Sequence, residues 1–357
     1  MSPPRSIGIG LGRIGQWHDG IGEFVRRYAQ TLAARAPMLR EREGWQFTYH
    51  LPRRWHGLFG DDVRYLDVHD RHRWLHRQPE TFDLWHNVHL RSRVATPWSA
   101  RRRVETVHDL IFLHAARGRL QLAQRRWFAR RRLQVADAAV AISHHVAAEM
   151  QRALAPLHAP VSVVHNGVLD AAAAPRREVA ELDGTRFLLH ISRMSPNKNV
   201  GTLLDLAEAW PEQAFVFAGQ RNAHTVGVQQ AIARRGLANA TLLFDVDDET
   251  RTWLYAHCIG FLFPSLDEGF GLPPIEAMYF GKPVFLSRLT SLPEVGGEVA
   301  HYFDDWAPAS MRAVVEAGLR AAAEPGAAER LRAHAQTFTW DRCIDGYLAL
   351  YRRLLLP

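Results

Sequence analysis

The chain has 357 residues, 47% hydrophobic and 23% charged, which is an ordinary globular composition; the length exceeds one core and points to two domains of roughly 170 residues each. Its 44 Lys and Arg outnumber 37 acids, and the excess lies in the first half, where residues 1–180 carry 28 Arg, no Lys and 16 acids. No apolar run approaches the roughly 20 residues of a membrane span, the N-terminus lacks a signal-peptide core, and Cys258 and Cys343 lack metal or redox spacing, so spanning helices and a disulfide framework are excluded and a cytoplasmic protein is expected.

Apolar runs at 7–11, 47–51, 84–88, 104–107, 138–142 and 161–164 alternate with helical patterns, one of them over 23–36. This reads as a doubly wound α/β domain with a mainly parallel sheet. Gly8-Ile-Gly-Leu-Gly12 and Asp19-Gly-Ile-Gly22 precede the first helix. Glycine-rich backbone before a helix suits phosphate, but the insert 13–18 breaks the dinucleotide spacing and leaves a weak signal. His108-Asp109 follows the run 104–107, at a strand C-terminus. A lone His in a chain with 19 of them is more often structural, and Asp109 also suits a cap for the next segment.

Arg101-Arg-Arg103 and Arg125-Arg-Trp-Phe-Ala-Arg-Arg-Arg132 are basic runs that suit an anionic lipid surface or a solvated helix face equally well. Trp127 and Phe128 within the second run fit an interfacial helix or a core-facing stripe. No nucleic-acid-binding module is visible, so no nucleic acid partner is expected. After Asn166-Gly167, the Ala- and Pro-containing segment 169–184 reads as a linker.

The second half repeats the α/β alternation, with runs at 187–191, 215–218, 241–244, 259–263 and 284–286, and closes on an amphipathic helix over 338–355. Arg193 and Lys198 follow the run 187–191, where two cations could neutralise a diphosphate. The run 259–263 ends at Pro264-Ser265, a strand C-terminus of the kind where ligands of open α/β sheets collect. Next come Glu268 on a loop with Gly269 and Gly271, Pro273 or Pro274 to open a helix, Glu276 in that helix's first turn, and Gly281 to stop it. A helix N-terminus favours anions, and two carboxylates accept hydrogen bonds from the paired hydroxyls of sugars and riboses. By itself the pair reads more readily as a dipole-complementing Glu276 and a solvated Glu268.

The surrounding motifs run in order: His190-Ile-Ser-Arg-Met-Ser-Pro-Asn-Lys-Asn199, Glu249 to Tyr255, Asp267-Glu-Gly-Phe-Gly-Leu-Pro273, Glu276-Ala-Met278, Gly281-Lys-Pro-Val284 and Ser291-Leu-Pro-Glu-Val295. Together they resemble the retaining glycosyltransferases of family four, glycosyl transferases group 1, which have the GT-B fold. The resemblance implies two Rossmann-like domains facing a central cleft. Residues 1–170 would be the acceptor-binding domain, 184–337 the nucleotide-sugar-binding domain, and 338–357 a helix crossing back onto the first domain.

It also implies roles. Arg193 and Lys198 bind the donor diphosphate, Glu268 contacts the transferred sugar, Glu276 holds the ribose, and Gly269, Phe270, Gly271 and Leu272 line the donor with backbone. Gly20 and Ile21 belong to an N-terminal loop at the donor phosphate or acceptor pocket, His108 lies near the transferred sugar, and His18, Asp19 and Asp109 are acceptor contacts. Asp245-Val-Asp247 has the spacing of a metal-binding Asp-x-Asp, but enzymes of this resemblance use helix dipoles and basic side chains, so no metal and no cofactor is expected.

The implied activity is retaining transfer of a mannose-, rhamnose- or glucose-type hexose from a nucleotide diphosphate sugar to a saccharide or lipid-linked acceptor, in lipopolysaccharide, O-antigen or exopolysaccharide synthesis. The basic first half adds a peripheral contact with the anionic inner membrane. A nucleotide-sugar epimerase of the same fold and an inactive sugar-binding subunit are the alternatives; the intact Arg193, Lys198, Glu268 and Glu276 speak against the second.

Overall fold

The computed structural model describes residues 4–12, 20–73, 75–92 and 94–356. In chain order the first half forms β1 (Arg5–Gly10), α1 (Gly20–Glu43), β2 (Trp45–Leu51), β3 (Arg64–Asp67), β4 (Phe82–Asn87), β5 (Ala100–Val107), α2 (Ile111–His114), α3 (Arg119–Gln134), β6 (Ala138–Ala141), α4 (His144–Leu154) and β7 (Val161–Val163). The second half forms β8 (Phe187–Ile191), α5 (Val200–Ala209), β9 (Ala214–Gly219), α6 (Ala223–Arg235), β10 (Ala240–Phe244), α7 (Asp248–His257), β11 (Gly260–Phe263), α8 (Leu272–Tyr279), β12 (Val284–Ser287), α9 (Leu292–Gly296), β13 (His301–Phe303), α10 (Pro308–Ala322) and α11 (Ala327–Ala335), before the final α12 (Trp340–Leu355).

All strand pairs are parallel, in two sheets ordered β3-β2-β1-β4-β5-β6-β7 and β10-β9-β8-β11-β12-β13. The strand order reverses between β1 and β4 in one sheet and between β8 and β11 in the other. Each reversal opens a crevice at the strand C-termini, where the two following loops turn to opposite sides.

Helix α1 shows how the pattern becomes structure. Phe24, Val25, Tyr28, Ala29, Leu32, Ala33, Ala36 and Leu39 recur at helical spacing and are buried, while Glu23 pairs with Arg26 and Arg27 one turn on. The helix runs past the expected end at residue 36, through Pro37, to Glu43. Proline removes one backbone hydrogen bond, but the fully buried Leu39 extends the apolar stripe another turn and offsets the loss. Gly8 and Gly10 lie within β1, where a Cβ would meet the Trp85 ring at 2.1 Å and Asn87 Oδ1 at 2.4 Å. These two glycines make room for neighbouring side chains of β4, a packing role.

The chain divides into two compact units, one running to Gly167 and resuming at Trp340, the other Val168–Thr339. Helix α12 completes the first. Its Cys343, Ile344, Tyr347, Leu348, Leu350, Tyr351 and Leu355 are buried in the same core as Ile7, Phe24, Phe47 and Leu84. A buried polar chain runs through this apolar contact: His86 Nδ1 lies 2.6 Å from the Tyr351 hydroxyl, His86 Nε2 2.7 Å from Thr106 Oγ1, and Thr106 Oγ1 3.2 Å from the Tyr347 hydroxyl. Burial in this setting pulls His86 down to about 3, so its ring is neutral. Both cysteines are buried free thiols. Among the described residues no helix is long and apolar enough to cross a membrane.

Candidate active site

In the second unit the loops after β8 and β11 leave the sheet at its reversal and are stitched together. Leu266 N–H donates to the Asn197 carbonyl at 2.7 Å, Asn197 Nδ2 donates to the Asp267 carbonyl at 2.8 Å, and Ser195 Oγ donates to Asn197 Oδ1 at 2.6 Å. The β8 loop makes its turn with Met194 and Asn199, both at φ 53°, a left-handed conformation that is uncommon outside glycine. At the crossing point the Lys198 ammonium bonds the Glu268 carboxylate, with side chains only 17% and 11% exposed, and lies 5.1 Å from the centre of the Phe263 ring. The sequence motif contains Asn197, but nothing in its spacing marks it as the residue that joins the two loops.

Arg193 stands exposed on the same β8 loop, whose carbonyl at that position accepts a bond from Asn222 Nδ2. Beneath it, His190 bridges the Leu262 carbonyl (2.8 Å) and Ser192 Oγ (2.7 Å), and burial holds its ring at about 4, hence neutral.

The Glu268–Leu272 turn is clamped from the far side. Buried Ser291 donates toward the carbonyls of Glu268 (3.1 Å) and Phe270 (2.7 Å), and Glu268 N–H donates to Thr290 Oγ1 at 3.2 Å. Gly271 has φ 116°, so its backbone requires glycine, and a Cβ there would approach the end of the Leu292 side chain, Cδ2, to 2.8 Å. Phe270 is buried and meets Phe338 edge-on. Helix α8 then starts at Leu272, one residue earlier than Pro273, so Glu276 lies beyond its first turn, a correction to the expected position. Its carboxylate accepts a 2.7 Å bond from the buried Tyr255 hydroxyl of α7. That partner and the Ser291 clamp lie within the sequence motifs, but a hydroxyl aimed from another element leaves no local pattern that marks its role.

Asp245 and Asp247 both have backbone work. Asp245 Oδ1 accepts from Arg221 N–H at 2.8 Å, while Asp247 caps α7 through Thr250 N–H at 2.8 Å and pairs with Arg177. The Thr250 N–H bond is the main cause that holds the Asp247 carboxyl below its ordinary range.

In the first unit His108 sits just past β5 and is 6% exposed. Its Nε2 lies 2.8 Å from the Val88 carbonyl, so Nε2 carries the proton and Nδ1 the lone pair; burial lowers its pKa and keeps the ring neutral. The Phe24 ring of α1 packs edge-on at 4.5 Å, which joins His108 to the helix that Gly20 and Ile21 open. Ile21 packs on the core and Gly20 is exposed. Asp109 accepts from Ile111 N–H at 3.1 Å, a turn at the start of α2. His18 and Asp19 lie outside the described residues.

Residues 174–303 match the family described as glycosyl transferases group 1. The matched stretch lies within the second unit. The O-antigen chain mannosyltransferase B of Escherichia coli is 31% identical over 179 residues, which are 47% of this chain and 46% of that protein, so the chain spans less than half the length of this relative. Among solved structures, sucrose-phosphate synthase from Thermosynechococcus elongatus aligns over 98% of this chain and 99% of its own, with TM-score 0.73 and 17% identity. HepE from Anabaena in complex with UDP-glucose aligns over 97% and 99%, with TM-score 0.67 and 17% identity. Both sheets therefore have the GT-B fold of these structural neighbours.

Proposed function

We propose that the chain is a retaining glycosyltransferase that moves a mannose-, rhamnose- or glucose-type hexose from a nucleotide diphosphate donor to a saccharide acceptor in lipopolysaccharide, O-antigen or exopolysaccharide synthesis. The observation that carries this reading is the Lys198–Glu268 pair at the strand reversal of a group 1 glycosyltransferase sheet. An ammonium has three donors and Glu268 takes one, so Lys198 has capacity for a diphosphate oxygen. Arg193 supplies a second cation, and the two stabilise the charge that grows on the departing diphosphate.

Glu268 accepts hydrogen bonds from the hydroxyls of the transferred sugar, Glu276 from the ribose, and the backbone of Gly269, Phe270, Gly271 and Leu272 lines the diphosphate. In the first unit, the domain taken to bind acceptor, the His108 Nδ1 lone pair accepts from a sugar hydroxyl, with Gly20, Ile21 and Asp109, together with His18 and Asp19, forming the surrounding contacts. The bond from the anomeric carbon to the donor phosphate breaks as the acceptor oxygen approaches the same face, and the departing phosphate oxygen takes the acceptor proton. The protein's contribution is positioning and electrostatic stabilisation, with no cofactor or metal in the reaction. The mannosyltransferase relative and the UDP-glucose held by the Anabaena neighbour support the donor and polysaccharide classes.

The acceptor in this reading is lipid-linked and met at the cytoplasmic face of the inner membrane. Helix α3 exposes Leu120, Trp127 and Phe128 alongside arginines, an apolar and basic surface suited to anionic lipid. Sedimentation with anionic liposomes at modest salt checks this part; equal recovery with neutral liposomes removes it. The transfer reading is tested with a panel of nucleotide diphosphate sugars and an oligosaccharide acceptor. Lys198→Ala and Glu268→Ala should each lose transfer by on the order of 10²–10³-fold. Unchanged transfer in both sinks the site assignment, and conversion of the donor sugar with no acceptor present selects the epimerase reading.

A further inference from the structure

Away from the motifs, the first unit gathers three buried histidines that no part of the transfer chemistry uses. His50 is the penultimate residue of β2, His72 sits on the 3-10 turn Asp70–Arg73, and His76 follows it; their exposures are 0%, 1% and 0%. The rings stack, with His72 and His76 centres 4.3 Å apart and His50 and His76 4.6 Å apart, against the edge of Trp85. One ring nitrogen from each lies within 4.8 Å of those of the other two. Backbone bonds fix the turn: Ala95 N–H donates to the His72 carbonyl at 2.8 Å and Trp98 N–H to that of His76 at 3.2 Å.

The proton assignments follow from the contacts. His72 Nδ1 accepts from His69 N–H at 3.3 Å, so it is unprotonated, and His50 Nε2, 3.1 Å away, is the donor between them. His50 Nδ1 is then a lone pair, and it is buried with no hydrogen-bond partner. His76 Nδ1–H donates to the Ala95 carbonyl at 2.6 Å, which makes Nε2 a second lone pair, also buried without a partner. An unpaired buried acceptor costs about 1–3 kcal/mol, and His76 Nε2 is one that faces the other two rings with no protein partner. A histidine that gives one N–H to a backbone carbonyl and directs the other nitrogen nowhere in the protein has the outer bonding of a metal ligand.

The geometry points to a divalent metal site formed by His50, His72 and His76, taking a borderline ion such as Zn²⁺ and tying β2 to the 70–76 turn. Three imidazoles suit Zn²⁺, Co²⁺ or Ni²⁺ and not Mg²⁺ or Ca²⁺, which take oxygen ligands. Nitrogens on one tetrahedral Zn²⁺ sit about 3.3 Å apart, given bonds of about 2.0–2.1 Å, and the His50–His72 pair is already near that separation. Binding at His50 Nε2, His72 Nδ1 and His76 Nε2 draws the third ring inward, and the ion takes the place of the proton on His50 Nε2, which moves to His50 Nδ1 and keeps that ring neutral. This site is separate from the donor residues, and its presence does not depend on the transfer reading.

The test uses tag-free full-length protein, stripped with chelator and titrated with ZnCl₂. One Zn²⁺ per chain should survive gel filtration and raise the melting temperature; His76→Gln should weaken Zn²⁺ at least tenfold, while the exposed His158→Gln should retain it. X-ray absorption of the Zn²⁺-loaded wild type should count three imidazoles, a result that needs no variant to fold. Fewer than three imidazoles, no retained Zn²⁺, or the same affinity in a folded His76→Gln protein would overturn the site. A wild-type protein that binds Zn²⁺ but transfers no sugar leaves this site standing and removes only the transferase reading.

Discussion

Ion pairs in this chain differ in what they are worth, and burial decides. Arg288–Asp304 has side chains 58% and 75% exposed, where a pair contributes about 0–1 kcal/mol, whereas Lys198–Glu268 is mostly enclosed. Removing one partner of an enclosed pair strands the other charge, at a cost on the order of 2–4 kcal/mol. Urea unfolding of Lys198→Ala against Arg288→Ala should show a clear shift of midpoint for the first and almost none for the second. Glu276 presents a smaller case. Tyr255→Phe deletes one hydrogen bond to its carboxylate, about 1 kcal/mol, so donor affinity by calorimetry should weaken roughly three- to tenfold with the fold intact. The types and spacing of Arg193, Lys198, Glu268 and Glu276 were legible in the sequence. Their neighbours Asn197, Tyr255 and Ser291 were not, since each acts through a bond between elements distant in the chain.

At the scale of elements, long apolar runs named the strands they became, while two strands escaped. β3 carries Arg64 and Asp67 at an edge of its sheet, and β13 has only three residues, so neither presents a run of buried positions. Pairing with β2 and β12 supplies what local pattern lacks. The turn into α8 is the element most sensitive to one added methyl. Gly271→Ala combines the φ of 116° with the Leu292 contact and should cost about 1–3 kcal/mol in urea unfolding, with donor affinity falling as the Phe270 and Gly271 amides shift. Ala at half-buried Gly227 within α6, where no atom lies within 4 Å of the added Cβ, should instead be neutral or slightly stabilising.

For the whole molecule, buried neutral histidines set the response to acid. His86 and His190 have folded pKa values near 3 and 4, below the unfolded value of about 6.5. The stability they contribute is complete above pH 6.5 and is lost as pH falls toward those folded values, because the unfolded chain takes up the protons first. Each contributes roughly 1.4 kcal/mol per pH unit across that window, so unfolding free energies measured at pH 7.5, 6 and 5 should decline steeply below 6.5. Replacing His190 by Gln should flatten that decline for the second unit.

The route of the chain between its two units carries a further result. The passages out and back run side by side: Val168 N–H donates to the Phe338 carbonyl at 2.7 Å, and Gly167 lies so close to Trp340 that a Cβ would meet its backbone at 2.5 Å. Deleting residues from 340 onward should expose the core that α12 covers and abolish hydrogen-exchange protection in β1, β4 and β5 while β8, β9 and β11 keep theirs. On the ribosome the same route inverts the usual order, in which the earlier domain matures first. The unit that is synthesised first must wait, unfinished, until the second has been made, and its last helix then delivers Tyr347 and Tyr351 to a histidine that was translated some 260 residues before.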